Sequence, residues 1–295
     1  MLTLEDLAAL RQQHEAATAA RVAEFELAGR KFHFNSRPAI MGVVNLSADS
    51  WYRESVCLSA ETAIQRGQVL AAQGADLVDV GAESTLAQAA RVGEGLQQSR
   101  LLPVVTGLRA AGVLVSVETY EPAVARATLA AGANVLNLTG LARAEEMFSI
   151  AAEHDAAVIL CFVQGEHVRA VGDFDLSGDP VATMHDYFGR WTELATKRGV
   201  RKIIIDPGLG FYYRNLQDSA IRVRHQMKVF LNTFRLRTLG FPVCHALPHA
   251  FEFFGEEVRC AEPFFAVLAS LGKTDLFRTH EVPRIKAVLD TLRVY

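Results

Sequence analysis

The sequence predicts an α/β protein whose body is a single (β/α)8 TIM barrel preceded by an N-terminal helix and β-hairpin, and three observations carry that expectation. Short apolar runs alternate with helix-length segments from Ala39 to the end of the chain. The runs are apolar throughout rather than alternating with polar residues, as strands buried on both faces are. Several helical segments stop at a glycine ahead of the next strand, at Gly74, Gly112, Gly132, Gly199 and Gly240, where positive φ ends a helix without strain. Eight such units in about 250 residues suit a closed barrel better than an open doubly wound sheet. A GxGxxG fingerprint after the first strand is absent, which argues against a dinucleotide fold.

The elements follow in order. Residues 1–38 read as an appendage, with an amphipathic helix over Thr3–Ala23 and a hairpin over Glu24–Phe34 turning at Ala28-Gly29-Arg30. Residues 39–295 read as the barrel. Its strands are expected at Ile40–Leu46, Leu77–Glu83, Val113–Thr119, Val135–Thr139, Ala157–Val163, Lys202–Asp206, Pro242–Leu247 and Leu276–His280. Helices are expected at Ser59–Gly74, Leu96–Ala111, Pro122–Gly132, Ala142–His154, Pro180–Gly199, Asn215–Leu239, Ala261–Leu271 and Val282–Leu292.

Composition narrows the function classes. The chain has 295 residues, is half hydrophobic and carries a net charge of −3, so neither a basic nucleic-acid surface nor disorder is expected. No apolar stretch reaches membrane-spanning length, and the N-terminus lacks the cationic start and apolar centre of a signal sequence. The four cysteines, Cys57, Cys161, Cys244 and Cys260, lie far apart without metal-type spacing. A reduced, cytoplasmic protein with no nucleic-acid or membrane partner is the expectation.

In a barrel of this kind the site forms at the carboxyl ends of the strands. Those ends carry Asn45 with Asp49, then Asp79, Glu83, Glu118, Asn137, Gln164, Asp206, His245, and Arg278 with His280. Converging carboxylates and amides can read the donor-rich edge of a flat heterocycle. Arg and His at one side can hold a phosphate or diphosphate. The run DPGLGF, in which Asp206 ends a β-branched strand against Pro207 and Gly208, places its carboxylate in a tight turn at the rim.

The segments Ile40–Ser50 (IMGVVNLSADS) and Val78–Thr85 (VDVGAEST) resemble the opening signatures of dihydropteroate synthases. The resemblance continues through Ser116–Tyr120, Asn134–Asn137, Gln164-Gly165, DPGLGF and Arg278-Thr279-His280, in the family's order. It implies a Mg2+-assisted substitution that joins a pterin-CH2 diphosphate to p-aminobenzoate, or a similar arylamine, and releases pyrophosphate. By that resemblance Asn45 faces Mg2+ and the diphosphate, which Arg278 and His280 also bind. Asp206 and Asn137 read the pterin edge, Glu118 stands where the family has Asp, and Thr85 and Gln164 fall in matching substrate segments. A homodimer is also implied.

Four positions depart from the family pattern. Leu86 stands where the family has Arg. The segment Val243–Phe251 (VCHALPHAF) holds neither the Arg nor the Lys of the family's Ser-Arg-Lys. Glu118 is one methylene longer than the family's Asp, and Leu138 replaces an Asp. Losing fixed cations weakens stabilisation of a departing diphosphate. A weakened synthase therefore stands beside two alternatives, a pterin- or folate-binding barrel with another transfer reaction and a non-catalytic paralogue.

Other residues read more plainly. Trp51, Tyr52, Tyr212 and Tyr213 can stack on a flat ring or merely cover the rim. Cys244, His245 and His249 form a weak metal pattern. Phe251–Phe254 and Pro263–Phe265 suit packing or a subunit interface, and Arg222, Arg224, His225 and Lys228 suit a solvated helix face.

Overall fold

The computed structural model describes residues 1–295 except Ala48, Ser50, Trp51, residues 85–90, 166–171 and 176–177, and Tyr212, and except the side chains of Arg53 and Arg214. Thr85, Leu86, Trp51 and Tyr212, named above, thus lie outside the described residues.

Hairpin strands β1 (Phe25–Leu27) and β2 (Arg30–Phe32) pair antiparallel. The barrel strands are β3 (Ala39–Asn45), β4 (Leu77–Gly81), β5 (Val115–Glu118), β6 (Val135–Leu138), β7 (Ala157–Cys161), β8 (Ile203–Asp206), β9 (Cys244–Ala246) and β10 (Leu276–Thr279). All pair in parallel, in the order β8-β7-β6-β5-β4-β3-β10-β9. The sheet closes through a bridge between Ile205 and Val243, beside which the Ile205 N–H donates to Pro242 C=O at 3.0 Å. This is the expected (β/α)8 barrel. Each strand sits within a few residues of its sequence-based bounds, and the five glycines that end helices take φ of 111°, 76°, 104°, 91° and 83° at Gly74, Gly112, Gly132, Gly199 and Gly240.

The barrel separates two packed layers. Outward-facing strand residues such as Val78, Val117, Leu136, Leu160 and Phe277 join the helix faces in one core cluster. Inward-facing Met41, Leu77, Val135, Ile159, Ile204 and Leu276 pack with Leu27, Phe32 and Phe34 of the appendage. The hairpin therefore plugs the amino-terminal mouth of the barrel, leaving the opposite mouth for ligand.

Two expectations are corrected. The opening helix runs only over Leu4–Gln13, buries no residue, and breaks at His14 before a four-residue turn of helix. The segment Asn215–Leu239 is not one helix: it divides into Ser219–Leu231 and Thr233–Leu236, flanked by 3-10 turns, with the break at Asn232, whose backbone leaves the helical region at φ −104° and ψ 6° while its side-chain amide donates back to the Lys228 C=O at 2.9 Å. The stretch after β9 forms the short helix Phe251–Phe254, entered through Ala250 at φ 46°. No described helix is long and apolar enough to cross a membrane.

Candidate active site

A cavity opens at the carboxyl end of the strands, lined by Asn45, Glu83, Glu118, Asn137, Asp206, Arg278 and His280 among others. Every one of these was expected at the rim. The strand pleat explains their convergence: in parallel strands of matched register, side chains of alternate residues enter the same space.

Asp79 is the hub. It is fully buried, accepting from Ser116 Oγ at 2.6 Å, Asn137 Nδ2 at 3.1 Å and Arg278 Nε at 2.8 Å. Arg278 Nη2 also donates to Glu118 Oε2 at 2.7 Å. The guanidinium expected to face the diphosphate is thus committed, through two of its nitrogens, to two carboxylates on the heterocycle-reading side. Its charge is well secured: burial disfavours the cation, but Asp79 and Glu118 more than offset that and push its pKa up. Burial raises the Glu118 pKa as well, to about 7. Arg278 opposes the shift, and the nearby carboxylates of Asp79, Asp206 and Glu83 reinforce it. One guanidinium does not neutralise so many acids in a low-dielectric site.

Asp206 ends β8 and is 3 % exposed. Its Oδ1 accepts from the Gly208 N–H at 2.8 Å, and Gly208 at φ 70° holds the turn. A Cβ at Gly208 would meet the Phe162 carbonyl oxygen at 2.4 Å, so only glycine fits. Burial raises the Asp206 pKa to about 6, against the Gly208 hydrogen bond that lowers it. Cys161 Sγ lies 3.5 Å from Asn137 Oδ1, and both Cys161 and Cys244 belong to the inward layer as small buried hydrophobes.

The diphosphate side is built differently. Asn45 Nδ2 donates to Ser55 Oγ at 2.6 Å, and Ser55 Oγ donates to Tyr52 C=O at 2.7 Å. His280 and His249 both line the cavity, and the Tyr52 ring stacks on both, with centroids 4.5 Å and 5.2 Å away. Behind them the carboxylate of Glu262, in helix Ala261–Leu271, lies 2.9 Å from His280 Nδ1 and 3.6 Å from His249 Nδ1. It also accepts from Thr279 Oγ1 and, at 3.1 Å, from the His280 N–H. Burial would raise the Glu262 pKa, yet the His280 contact and its other partners hold it below the usual value. Burial lowers His249 to about 4 despite Glu262.

Several residues sit elsewhere than expected. Gln164 is not part of the cavity wall; its Oε1 accepts from the Asp175 N–H at 3.1 Å and its own N–H donates to Tyr213 Oη. Tyr213 is therefore a buried support, not a stacking platform. His245 points away from the cavity, 2.7 Å from Thr233 Oγ1 and edge-on to Phe230, because strand alternation turns it opposite to Cys244 and Ala246. The pattern of Cys244, His245 and His249 is thereby dispersed. Arg222 and His225 are buried rather than solvated; Arg222 reaches the cavity wall and holds Glu252 at 2.6 and 2.7 Å. Sequence reasoning assigned no role to Glu262 or Tyr52's imidazole contacts. A lone acid in the apolar helix AEPFFAVLASL was the available signal for Glu262.

A barrel with a carboxylate, amide and guanidinium array at this mouth defines a pterin-binding enzyme, and the pterin binding enzyme family model matches residues 41–245. The chain belongs to that family. Within it, the chain is 33% identical over 218 residues to the dihydropteroate synthase of Streptococcus pyogenes serotype M6, covering 72% of this chain and 76% of the relative. It is 29% identical over 265 residues to the dihydropteroate synthase of Synechocystis, covering 85% and 88%. Among solved structures, the Xanthomonas albilineans dihydropteroate synthase with 4-aminobenzoic acid superposes with TM-score 0.76 at 29% identity, covering 92% of this chain and 97% of that one. The Thermus thermophilus enzyme in complex with 6HMPPP gives TM-score 0.73 at 27% identity, covering 92% and 99%. The particular family is therefore that of the dihydropteroate synthases, and this chain is a member of it.

Proposed function

We propose that this chain binds a pterin-CH2 diphosphate and joins it to an arylamine of the p-aminobenzoate type, releasing pyrophosphate. The observation that carries the reading is the Asp206, Asn137, Asp79, Glu118 and Arg278 array at the carboxyl mouth of the barrel. Relatives solved with 4-aminobenzoic acid and with 7,8-dihydropteroate support it.

Asp206 as carboxylate accepts from the amino-pyrimidine edge, and Asn137, held by Asp79, offers a fixed amide beside it. In the reaction the bond from methylene carbon to diphosphate oxygen breaks, the electron pair leaves with pyrophosphate, and the arylamine nitrogen bonds to that carbon and loses a proton. Anions held near the ring favour the cationic methylene. His280, oriented by Glu262, presents its imidazole to the departing diphosphate.

Asn45 fits a hard cation, because its amide nitrogen is taken by Ser55 and, among the described residues, its side-chain oxygen remains for the cavity. Mg2+ bound there with the diphosphate would neutralise leaving-group charge. A cytoplasmic setting and a homodimer belong to the same proposal. Its test is calorimetry with a reduced pterin and its CH2-diphosphate, followed by pyrophosphate release with p-aminobenzoate. Micromolar binding and arylamine-dependent release support it; no binding at millimolar ligand would sink it.

A further inference from the structure

We propose that His249, His280 and Glu262 form a binding site for a divalent metal of the zinc class, held between the two imidazoles that line the cavity and the carboxylate behind them. The ligand atoms, one from each residue, lie within 4.8 Å of one another. Glu262 Oε1 is 2.9 Å from His280 Nδ1 and 3.6 Å from His249 Nδ1. Ligands at about 2.0–2.1 Å from a tetrahedral zinc stand ~3.3 Å apart, so metal binding draws the His249 loop inward to close a triangle whose atoms now lie within 4.8 Å.

One unsatisfied atom points to a ligand, and the buried carboxylate beside it supplies the charge a metal needs. His249 Nδ1 is a buried polar atom with no hydrogen-bond partner among the described residues, although a carboxylate oxygen stands just beyond bonding range. Leaving such an atom unsatisfied is costly, and a metal would satisfy it. Glu262 is a carboxylate whose side chain is 1% exposed, placed behind two imidazoles by an otherwise apolar helix. Tyr52 stacks on both imidazole rings and limits their rotation.

Two nitrogens and one carboxylate oxygen select zinc, cobalt or a similar ion over Mg2+, which prefers oxygen ligands. The site is thus chemically distinct from the hard-cation position at Asn45. Three protein ligands leave a tetrahedral ion one further position, which an exogenous oxygen ligand can take. On the reading proposed above, that ligand is a diphosphate oxygen, and the metal stands in for cations missing from the Val243–Phe251 segment.

The test is a Co2+ titration of chelator-treated protein, read by visible absorption, with bound zinc counted by elemental analysis. The site predicts one equivalent bound, an intense visible band, and at least a tenfold loss of affinity in His249→Ala and Glu262→Gln. Added pyrophosphate should shift the band. Absence of stoichiometric binding, equal affinity in both variants, or a band indifferent to pyrophosphate would overturn the proposal. Should a variant fail to fold, X-ray absorption on the wild-type zinc form decides, since two imidazole scatterers support the site and none overturns it. Metal binding is read without any pterin, so its failure and that of the proposed transferase are separable.

Discussion

Arg278 Nη2 stands 2.7 Å from Glu118 Oε2 while its Nε stands 2.8 Å from Asp79 Oδ2, so one guanidinium joins three barrel strands across the mouth. Its side chain is 18% exposed and that of Asp79 fully buried. Removing it strands charge where water cannot reach. Arg278→Met should therefore destabilise the fold by about 3–5 kcal/mol, the range for a broken buried pair. Chemical denaturation against wild type checks this; a loss below ~1 kcal/mol would mean that Asp79 protonates or rehydrates freely.

Asp206 sets a pH dependence. Its pKa is raised to about 6, so its contribution to folding is fully present below the unfolded value near ~3.9 and is lost as pH rises through about 6. Ligand affinity runs the opposite way, because the pterin edge needs the carboxylate. Reduced-pterin binding should fall as pH drops below about 6, approaching tenfold per unit. Asp206→Asn should weaken binding at neutral pH by more than ~1 kcal/mol and flatten that profile. An unchanged profile in the variant would assign the titration to another group.

Gly208 is the turn on which Asp206 depends. Gly208→Ala must hold alanine at φ 70° with its methyl 2.4 Å from the Phe162 carbonyl, so the loop has to move. We expect a loss of at least ~2 kcal/mol in stability and a further loss of pterin affinity. Thermal melts and calorimetry on the same preparation separate the two effects.

Catalysis should reveal what became of the family's cations. With Leu86 and no Arg or Lys in Val243–Phe251, dihydropteroate formation without added transition metal should run on the order of a hundredfold below a complete family member. Leu86→Arg should recover only part, since groups acting together are not additive. Steady-state pyrophosphate release measures both. Full turnover by the metal-stripped wild type would mean that another group, Arg222 first, supplies the charge.

The buried imidazole of His245 makes a prediction about acid stability. Burial lowers its pKa to about 3, so the neutral ring contributes stability above ~6.5 that is lost as pH falls toward that value. His245→Gln should make stability less dependent on pH between 6 and 4, followed by urea midpoints. An unchanged slope would mean that other buried histidines dominate, with His225 and His249, both lowered to about 4, the candidates.

What the sequence by itself determined was the repeat and its register. Continuous apolar runs, glycine-terminated helices and polar strand ends are local signals, written within a dozen residues of one another, and they placed Asn45, Glu118, Asn137, Asp206, Arg278 and His280 at one mouth. Only the tertiary structure decided which of these groups face each other. Arg278 turned to Asp79 and Glu118 because they lie on β4 and β5, far away in sequence but across the barrel in space. His245 turned outward and His249 inward because strand alternation ends at Ala246 and the loop then takes its own path. Glu262 met two imidazoles because helix Ala261–Leu271 packs behind β10. Such pairings depend on closure of the sheet, a long-range event that fixes side-chain partners no local pattern records.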